Sequence, residues 1–256
     1  MKTVNLFYRR SGSGKPLVIL HGLFGLSDNW AGLSKFFAEK YDTILVDLRN
    51  HGQSPHDAVF NYQSMAADVA ALIHKLELND VYLIGHSMGG KVAMELARQS
   101  PELIQKMIIA DIGTKYYPPH HQSIMKALFS VDLSNLKSRK QAEEMMSPFI
   151  SNLGVMQFLL KNLFWPKPEV MAWRFNLKAI AEQIEEVGKA LENNVIIDIP
   201  TLFIRGELSD YILDQDWDAV QTQFPNAQLQ TIEKAGHWLH AEQPQSFYHA
   251  VIHFFK

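Results

Sequence analysis

The sequence has no cysteine among its 256 residues. This absence excludes a disulfide framework, a thiol nucleophile, and zinc or iron–sulfur sites with cysteine ligands. No uninterrupted apolar run is long enough to span a bilayer, and residues 1–10 lack the apolar segment that a secretory signal requires. We therefore expect a cytoplasmic protein without stable membrane insertion.

The sequence also lacks an excess of charge of either sign. Lys and Arg total 24 against 27 Asp and Glu, which gives a formal net charge of −3. Without a global positive field, the chain is not expected to bind nucleic acid. Hydrophobic residues make up 47% of the chain, so a sizeable core can be buried. We expect the partner to be a small neutral or apolar molecule.

Short apolar runs alternate with amphipathic stretches along the chain. Their β-branched composition predicts strands buried on both faces at residues 17–20, 43–46, 81–84 and 106–110. Further strands are predicted at residues 199–204 and 228–232. Helical spacing of apolar residues predicts helices at residues 65–76 and 88–100 and at about 243–255. Strands that alternate with helices predict an α/β fold with a mostly parallel central sheet and flanking helices.

The strand pattern stops between about residues 116 and 194, where the sequence is rich in Met and aromatic residues. We expect residues 1–115 and 195–256 to form one core domain and residues 116–194 to form an inserted helical cap. An insertion between parallel strands lies beyond a strand's carboxyl end, where such sheets bind ligands. The cap is therefore expected to act as a lid over the bound ligand. The expected pocket residues are Phe158, Trp165 and Trp173 of the cap and Phe24 and Trp238 of the core.

The sequence G-H-S-M-G at residues 85–89 directly follows a predicted strand and opens a predicted helix. A serine in such a sharp turn has strained backbone angles, and the glycine two positions away on either side avoids a collision. We therefore expect Ser87 to stand above the sheet as a nucleophile. The N–H groups of Met88, at the helix N-terminus, and of Leu23, in H-G-L-F-G at residues 21–25, are expected to form an oxyanion hole.

A serine hydroxyl needs a base that takes its proton. His237 is the candidate, because A-G-H-W at residues 235–238 lies between the last predicted strand and the terminal helix. A carboxylate must then orient the imidazole. Asp111 and Asp210 each follow a predicted strand and lie between Ser87 and His237 in the chain, so the residues themselves leave both open.

The sequence predicts no metal site. His249 and His253 lie four residues apart on the terminal helix, but no third ligand is apparent. The pair at residues 120 and 121 has no catalytic context. The segment D-L-R-N-H-G-Q-S at residues 47–54 is expected to form a rigid turn with a structural role.

The motifs H-G-L-F-G, D-L-R-N-H-G-Q-S, G-H-S-M-G-G-K and A-G-H-W together resemble the α/β-hydrolase superfamily across nearly the whole chain. Residues 21–25, 47–54, 87–91, 109–112 and 173–176 are similar to YbfF-type small esterases and their abhydrolase-domain relatives. This resemblance implies hydrolysis of esters and acyl thioesters without a cofactor, beneath a helical cap. It also implies that Asp111 is the acid, with Ser209 as an auxiliary hydrogen-bond partner and Asp210 as the alternative acid.

We therefore predict a serine hydrolase of the carboxylesterase or thioesterase type. A lyase or carbon–carbon hydrolase of the same fold can keep an identical triad, and so can a ligand receptor with residual hydrolase activity. A basic cluster in the cap would favour the lyase or carbon–carbon hydrolase, but the cap offers Arg174 and scattered lysines rather than a cluster. We expect the cap to lie over the acyl group of the substrate and to set the preference for acyl chain length.

Overall fold

The computed structural model describes residues 2–118, 121–192 and 194–256. Their strands are β1 (Tyr8–Ser11), β2 (Lys15–Leu20), β3 (Tyr41–Val46), β4 (Val81–His86), β5 (Ile104–Ala110), β6 (Leu163–Lys167), β7 (Val170–Trp173), β8 (Thr201–Gly206) and β9 (Ala227–Ile232). Their helices are α1 (Ala31–Phe37), α2 (Tyr62–Lys75), α3 (Met88–Gln99), α4 (Gln122–Ser130), α5 (Arg139–Met146), α6 (Leu153–Leu160), α7 (Leu177–Glu182), α8 (Ile184–Val187), α9 (Trp217–Gln223), α10 (Leu239–Glu242) and α11 (Pro244–Phe255). Within these described residues, no helix combines the length and apolar character that a membrane span requires.

The central sheet has the strand order β1-β3-β2-β4-β5-β8-β9. β1 pairs with β3 in antiparallel fashion, whereas every other neighbouring pair is parallel. The chain builds outward from β2 to β3 in one direction and from β4 to β9 in the other. The carboxyl ends of β2 and β4 meet where this direction reverses, which is where open α/β sheets bind ligands. The loops after β2 and β4 are therefore neighbours.

The apolar strands divide their side chains between two cores. Val18 and Leu20 of β2 pack into a cluster that includes side chains of α2 and α3. Leu17 and Ile19 point to the opposite face and pack with side chains of α1 and α11. Successive side chains of a strand alternate between faces, so a strand covered by helices on both faces is apolar throughout. The predicted α/β fold with a mostly parallel sheet is confirmed.

Two strand regions differ from the sequence prediction. β1 has no apolar run because it is an edge strand whose side chains are mostly exposed and include Arg9 and Arg10. Charged side chains suit such an edge, since they discourage pairing with another chain.

The segment between β5 and β8 contains α4 to α8 and also the antiparallel pair β6–β7. The expectation of helices alone is therefore wrong for residues 163–173, where Leu163 pairs with Trp173 and Phe164 with Ala172. Aromatic residues favour strands, but a short apolar run does not reveal its period. Residues 119, 120 and 193 of the expected cap lie outside the described residues.

Candidate active site

Ser87 occupies a strained turn between β4 and α3. Its φ is +53°, in the left-handed region that a residue with a side chain rarely adopts. A Cβ at Gly85 would lie 2.3 Å from the carbonyl oxygen of Gly89, and a Cβ at Gly89 would lie 2.5 Å from that of Leu20. Gly85 therefore allows the turn to close tightly, and Gly89 allows it to pack against the end of β2. The Ser87 N–H donates to Ala110 O at 2.9 Å, which ties the turn to the end of β5.

The structure brings Ser87, His237 and Asp111 together in one chain of contacts. Ser87 Oγ lies 3.0 Å from His237 Nε2, and His237 Nδ1 lies 2.7 Å from Asp111 Oδ2. A carboxylate can only accept a hydrogen bond, so Nδ1 carries the proton and Nε2 of the neutral ring is left to accept from the serine hydroxyl. This is the geometry of a nucleophile, a base and an orienting acid.

Asp111 is fully buried, and three donors fix its carboxylate. Its Oδ1 accepts from the Gly206 N–H at 3.0 Å, and its Oδ2 accepts from Ser209 Oγ as well as from His237. Its backbone has a φ of +51°, and its N–H donates to Ile204 O at 2.8 Å. The left-handed backbone turns the side chain across the end of β8, where the Gly206 and Ser209 donors stand.

Asp210, the alternative acid, is exposed. Between these two described aspartates, His237 contacts Asp111. Ser209, the expected auxiliary residue, donates to the same carboxylate.

Leu23 and Met88 present the N–H groups expected for an oxyanion hole. In the part of the chain that the structure describes, neither N–H donates to a protein acceptor. The next amide, Phe24 N–H, is already bound to His51 Nε2 at 3.1 Å. Met88 is the first residue of α3, so the helix dipole adds to the attraction of its N–H for developing negative charge.

Two buried histidines hold the loop that carries Leu23. His21 Nδ1 lies 2.8 Å from Gly22 O, and its Nε2 accepts from the Leu48 N–H at 3.1 Å. His51 Nδ1 lies 2.9 Å from Arg49 O. Burial lowers the pKa of His51 to about 3 and lowers that of His21. Both rings are therefore neutral, with the proton on Nδ1 and an acceptor at Nε2.

The segment after α6 contributes a third tie to this loop. Asn162 is fully buried, and its Nδ2 donates to Phe24 O at 2.8 Å. No sequence motif indicates this role, because a lone Asn after a helix has many uses.

Aromatic and histidine side chains fix the imidazole of His237. Tyr211 stacks on it with ring centroids 4.0 Å apart and an interplanar angle of 16°, and the Tyr117 hydroxyl donates to Tyr211 O at 2.6 Å. His86 Nε2 lies 2.8 Å from His237 O. Burial lowers the pKa of His86 well below its usual value, so its neutral ring donates from Nε2. The sequence motifs did not indicate either tyrosine.

A cavity of about 240 Å³ opens beside Ser87 and His237. Of the expected pocket residues, Phe24, Phe158 and Trp238 line it. The predictions for Trp165 and Trp173, both on the β6–β7 pair, are wrong. Trp165 is 48% exposed and lies under the Arg139 guanidinium, 5.4 Å from its ring centroid. Trp173 is buried and stacks on Phe175 at 5.2 Å, where it fills the apolar cluster instead.

The described residues contain no group of three or more His, Cys, Asp or Glu side chains that could hold a metal ion.

Comparisons with known proteins identify the family. A family model for the alpha/beta hydrolase fold matches residues 15–244. The chain is 36% identical over 240 residues to esterase YbfF of Escherichia coli, covering 93% of this chain and 92% of that protein. It is 35% identical over 249 residues to sn-1-specific diacylglycerol lipase ABHD11 of Mus musculus, covering 93% and 80% respectively. The solved structure of a marine microorganism esterase is 40% identical, with a TM-score of 0.96 and coverage of 98% of this chain and 100% of that chain. This chain therefore belongs to the α/β-hydrolase family.

Proposed function

We propose that this protein is a serine hydrolase that cleaves carboxylic esters through an acyl-serine intermediate on Ser87. The observation that carries the proposal is the continuous contact from Ser87 Oγ to His237 Nε2 at 3.0 Å and from His237 Nδ1 to Asp111 Oδ2 at 2.7 Å. The names of the E. coli relative and of the marine enzyme, both esterases, support it.

In the first half-reaction, His237 Nε2 takes the hydroxyl proton as Ser87 Oγ bonds to the carbonyl carbon. The negative charge that forms on the carbonyl oxygen is stabilised by the N–H groups of Leu23 and Met88. The bond to the alcohol oxygen then breaks, and that oxygen leaves with the proton from Nε2. The product of this step is the free alcohol and an ester of Ser87. Asp111 stays ionised and stabilises the charged imidazole.

In the second half-reaction, water replaces the alcohol. His237 Nε2 takes a proton from water as its oxygen bonds to the acyl carbon, and it returns that proton to Ser87 Oγ as the acyl bond breaks. The carboxylic acid leaves and the enzyme is restored. An acyl thioester would react in the same two steps with a thiol as the leaving group, so we include thioesters among the proposed substrates.

We further propose that residues 116–194 form a lid over a core of residues 1–115 and 195–256. Two contacts support this arrangement. The ring of Phe158, on α6, lies 5.8 Å from that of Trp238, and both side chains line the cavity beside Ser87. Asn162, just beyond α6, hydrogen-bonds the loop that carries Leu23 through Phe24 O.

The cavity lining favours a neutral substrate over an anionic one. Its described lining contains no Lys or Arg, which disfavours a lyase or carbon–carbon hydrolase that acts on an anionic substrate. A ligand receptor would not require a serine hydroxyl 3.0 Å from a histidine that a buried carboxylate orients. Action in the cytoplasm stays a prediction.

The proposal is tested with p-nitrophenyl acetate and a thiol ester of acetate. Ser87→Ala should lower kcat by at least about 10³-fold on both substrates while the thermal midpoint stays near that of the wild type. Ser246, exposed on α11, offers a matched control, and Ser246→Ala should hydrolyse both esters normally. A kcat of Ser87→Ala close to that of the wild type would contradict the acyl-serine mechanism.

A further inference from the structure

Two unequal spaces meet at Ser87. The larger is the cavity of about 240 Å³, whose walls include His237, Trp238, Phe158 and Ile124. The smaller is a recess of about 20 Å³, whose walls include Met88, Tyr62, Ile112, Tyr117, Ile184 and Val187. Ser87 and Leu23 line both spaces. The carbon attacked by Ser87 Oγ would therefore carry one substituent toward each space.

The position of His237 decides which substituent goes where. When the tetrahedral intermediate collapses, the leaving oxygen takes its proton from His237 Nε2, so the leaving group must lie on the His237 side. His237 lines the larger cavity and, among the described residues, is not part of the wall of the recess. Met88, which supplies an oxyanion N–H, lies in the wall of the recess. With the carbonyl oxygen at that N–H and the leaving group in the cavity, the acyl substituent points into the recess.

One hydrogen bond from the core and two within the segment after β5 hold the walls of the recess in place. The Tyr62 hydroxyl, on α2, donates to Val187 O at 2.6 Å. The Tyr117 N–H donates to Gly188 O at 2.8 Å, and its hydroxyl accepts from the Gly113 N–H at 2.8 Å. A Cβ at Gly188 would lie 2.1 Å from Tyr117 O, so these two backbones are in close contact. Widening the recess would break several of these bonds at once.

A cavity needs roughly 10–15 Å³ of such space to hold one water molecule. At about 20 Å³, the recess therefore admits only a small group. We infer that the enzyme selects esters with a very short acyl group, of acetyl size, and a larger apolar leaving group. This inference rests on the proposed function and assigns its two substrate halves. Phe158 and Trp238 then contact the alcohol portion, so the lid selects the alcohol rather than the acyl chain expected from the sequence.

Hexyl acetate and ethyl hexanoate test this inference directly, because they are isomers with the long chain on opposite sides of the ester. The wild type should hydrolyse hexyl acetate with a kcat/KM at least about tenfold higher than that for ethyl hexanoate. This is the lower end of the roughly 10–200-fold discrimination that one methylene group produces in an apolar pocket. Equal values, or a preference for ethyl hexanoate, would overturn the assignment.

Replacing one isoleucine by alanine in the wall of each space shows which space holds the acyl chain. Ile184→Ala enlarges the recess and should raise the ethyl hexanoate to hexyl acetate ratio of kcat/KM by about tenfold or more. Ile124→Ala enlarges the larger cavity and should leave that ratio at or below the wild-type value. The reverse pattern would place the acyl chain in the larger cavity and overturn the inference.

Different results would contradict the proposed hydrolase function and the assignment of the two spaces. If the wild type cleaves neither isomer nor p-nitrophenyl acetate, and a phosphonate probe does not modify Ser87, the proposed hydrolase function fails and the inference falls with it. If Ser87 is modified and both isomers are cleaved with the long acyl chain preferred, only the assignment of the two spaces is wrong.

Discussion

Replacing Asp111 by Asn changes one atom in the acid that contacts His237. The carboxylate now accepts three hydrogen bonds, from the Gly206 N–H, from Ser209 Oγ and from His237 Nδ1. An Asn side chain has one oxygen and one NH₂ group. If its oxygen faces Gly206, its NH₂ faces Ser209 and His237. The serine hydroxyl can reverse and accept, but the imidazole can accept only by moving its proton to Nε2.

An imidazole with its proton on Nε2 cannot accept the proton of Ser87. We therefore expect Asp111→Asn to lower kcat by up to about 10⁴-fold, the magnitude typical of a triad held in the wrong tautomer. The opposite orientation of the amide keeps the tautomer but directs an NH₂ group at the Gly206 N–H. The loss of that buried hydrogen bond costs about 1–3 kcal/mol of stability, which a lower thermal midpoint would reveal.

Asp210→Asn is the matched control, because Asp210 is exposed and the same change there leaves the imidazole undisturbed. Its kcat for p-nitrophenyl acetate should stay within a few-fold of the wild-type value, a surface effect of the usual small size. Asp111 is not the orienting acid if Asp111→Asn retains kcat within tenfold of the wild type. The same conclusion follows if Asp210→Asn is the variant that loses most of its kcat.

Three further predictions concern positioning and pH. Asn162→Ala removes the hydrogen bond to Phe24 O, so kcat should fall by roughly tenfold with little change in KM; steady-state kinetics in which only KM changes would contradict this role. Burial lowers the pKa of His51 and of His240 from 6.5 to about 3, so the unfolded chain binds protons that the native state does not. The free energy of unfolding should therefore fall as the pH drops below 6.5, by roughly 2 kcal/mol per histidine at pH 5, and urea titrations should show a weaker pH dependence in His51→Asn. Burial also lowers the pKa of Lys91 from 10.5 to about 7, so stability should rise with pH between these values; Lys91→Met should flatten that rise, and two curves of equal slope would contradict it.

The fold was predictable wherever burial shaped the sequence. β3 is buried throughout, and its apolar run follows from helices on both faces of the sheet. β1 was not predicted because the side chains of this edge strand are mostly exposed, so its sequence has no apolar pattern. The pair β6–β7 was not predicted because Leu163 to Trp165 is apolar in either a helix or a strand.

The motifs at element ends identified most of the site residues. Ser87 and His237 stand beside predicted strand ends, and the structure brings them within 3.0 Å; their catalytic roles stay predictions. The residues alone did not decide between Asp111 and Asp210, because β5 and β8 are neighbours with their carboxyl ends at one edge. The direction of each side chain depends on local backbone, such as the φ of +51° at Asp111, which no motif records.

The pocket was the least predictable part. Trp165 is an aromatic residue of the expected cap, yet it lies on a partly exposed strand. Tyr211 and Tyr117 lie far from each other in sequence, and their contact depends on how the segment after β5 packs on the loop after β8. Such contacts depend on tertiary packing rather than on local pattern.

We propose that Ser87 is a nucleophile activated by His237. Incubation with a fluorophosphonate, followed by mass spectrometry of the peptides, tests this claim because the phosphonyl-serine adduct does not turn over. The wild type should carry one adduct on Ser87, Ser87→Ala should carry none, and His237→Ala should react at least about 10²-fold more slowly, the lower end of what a general base contributes. An adduct on another residue, or reaction of His237→Ala at the wild-type rate, would contradict the claim.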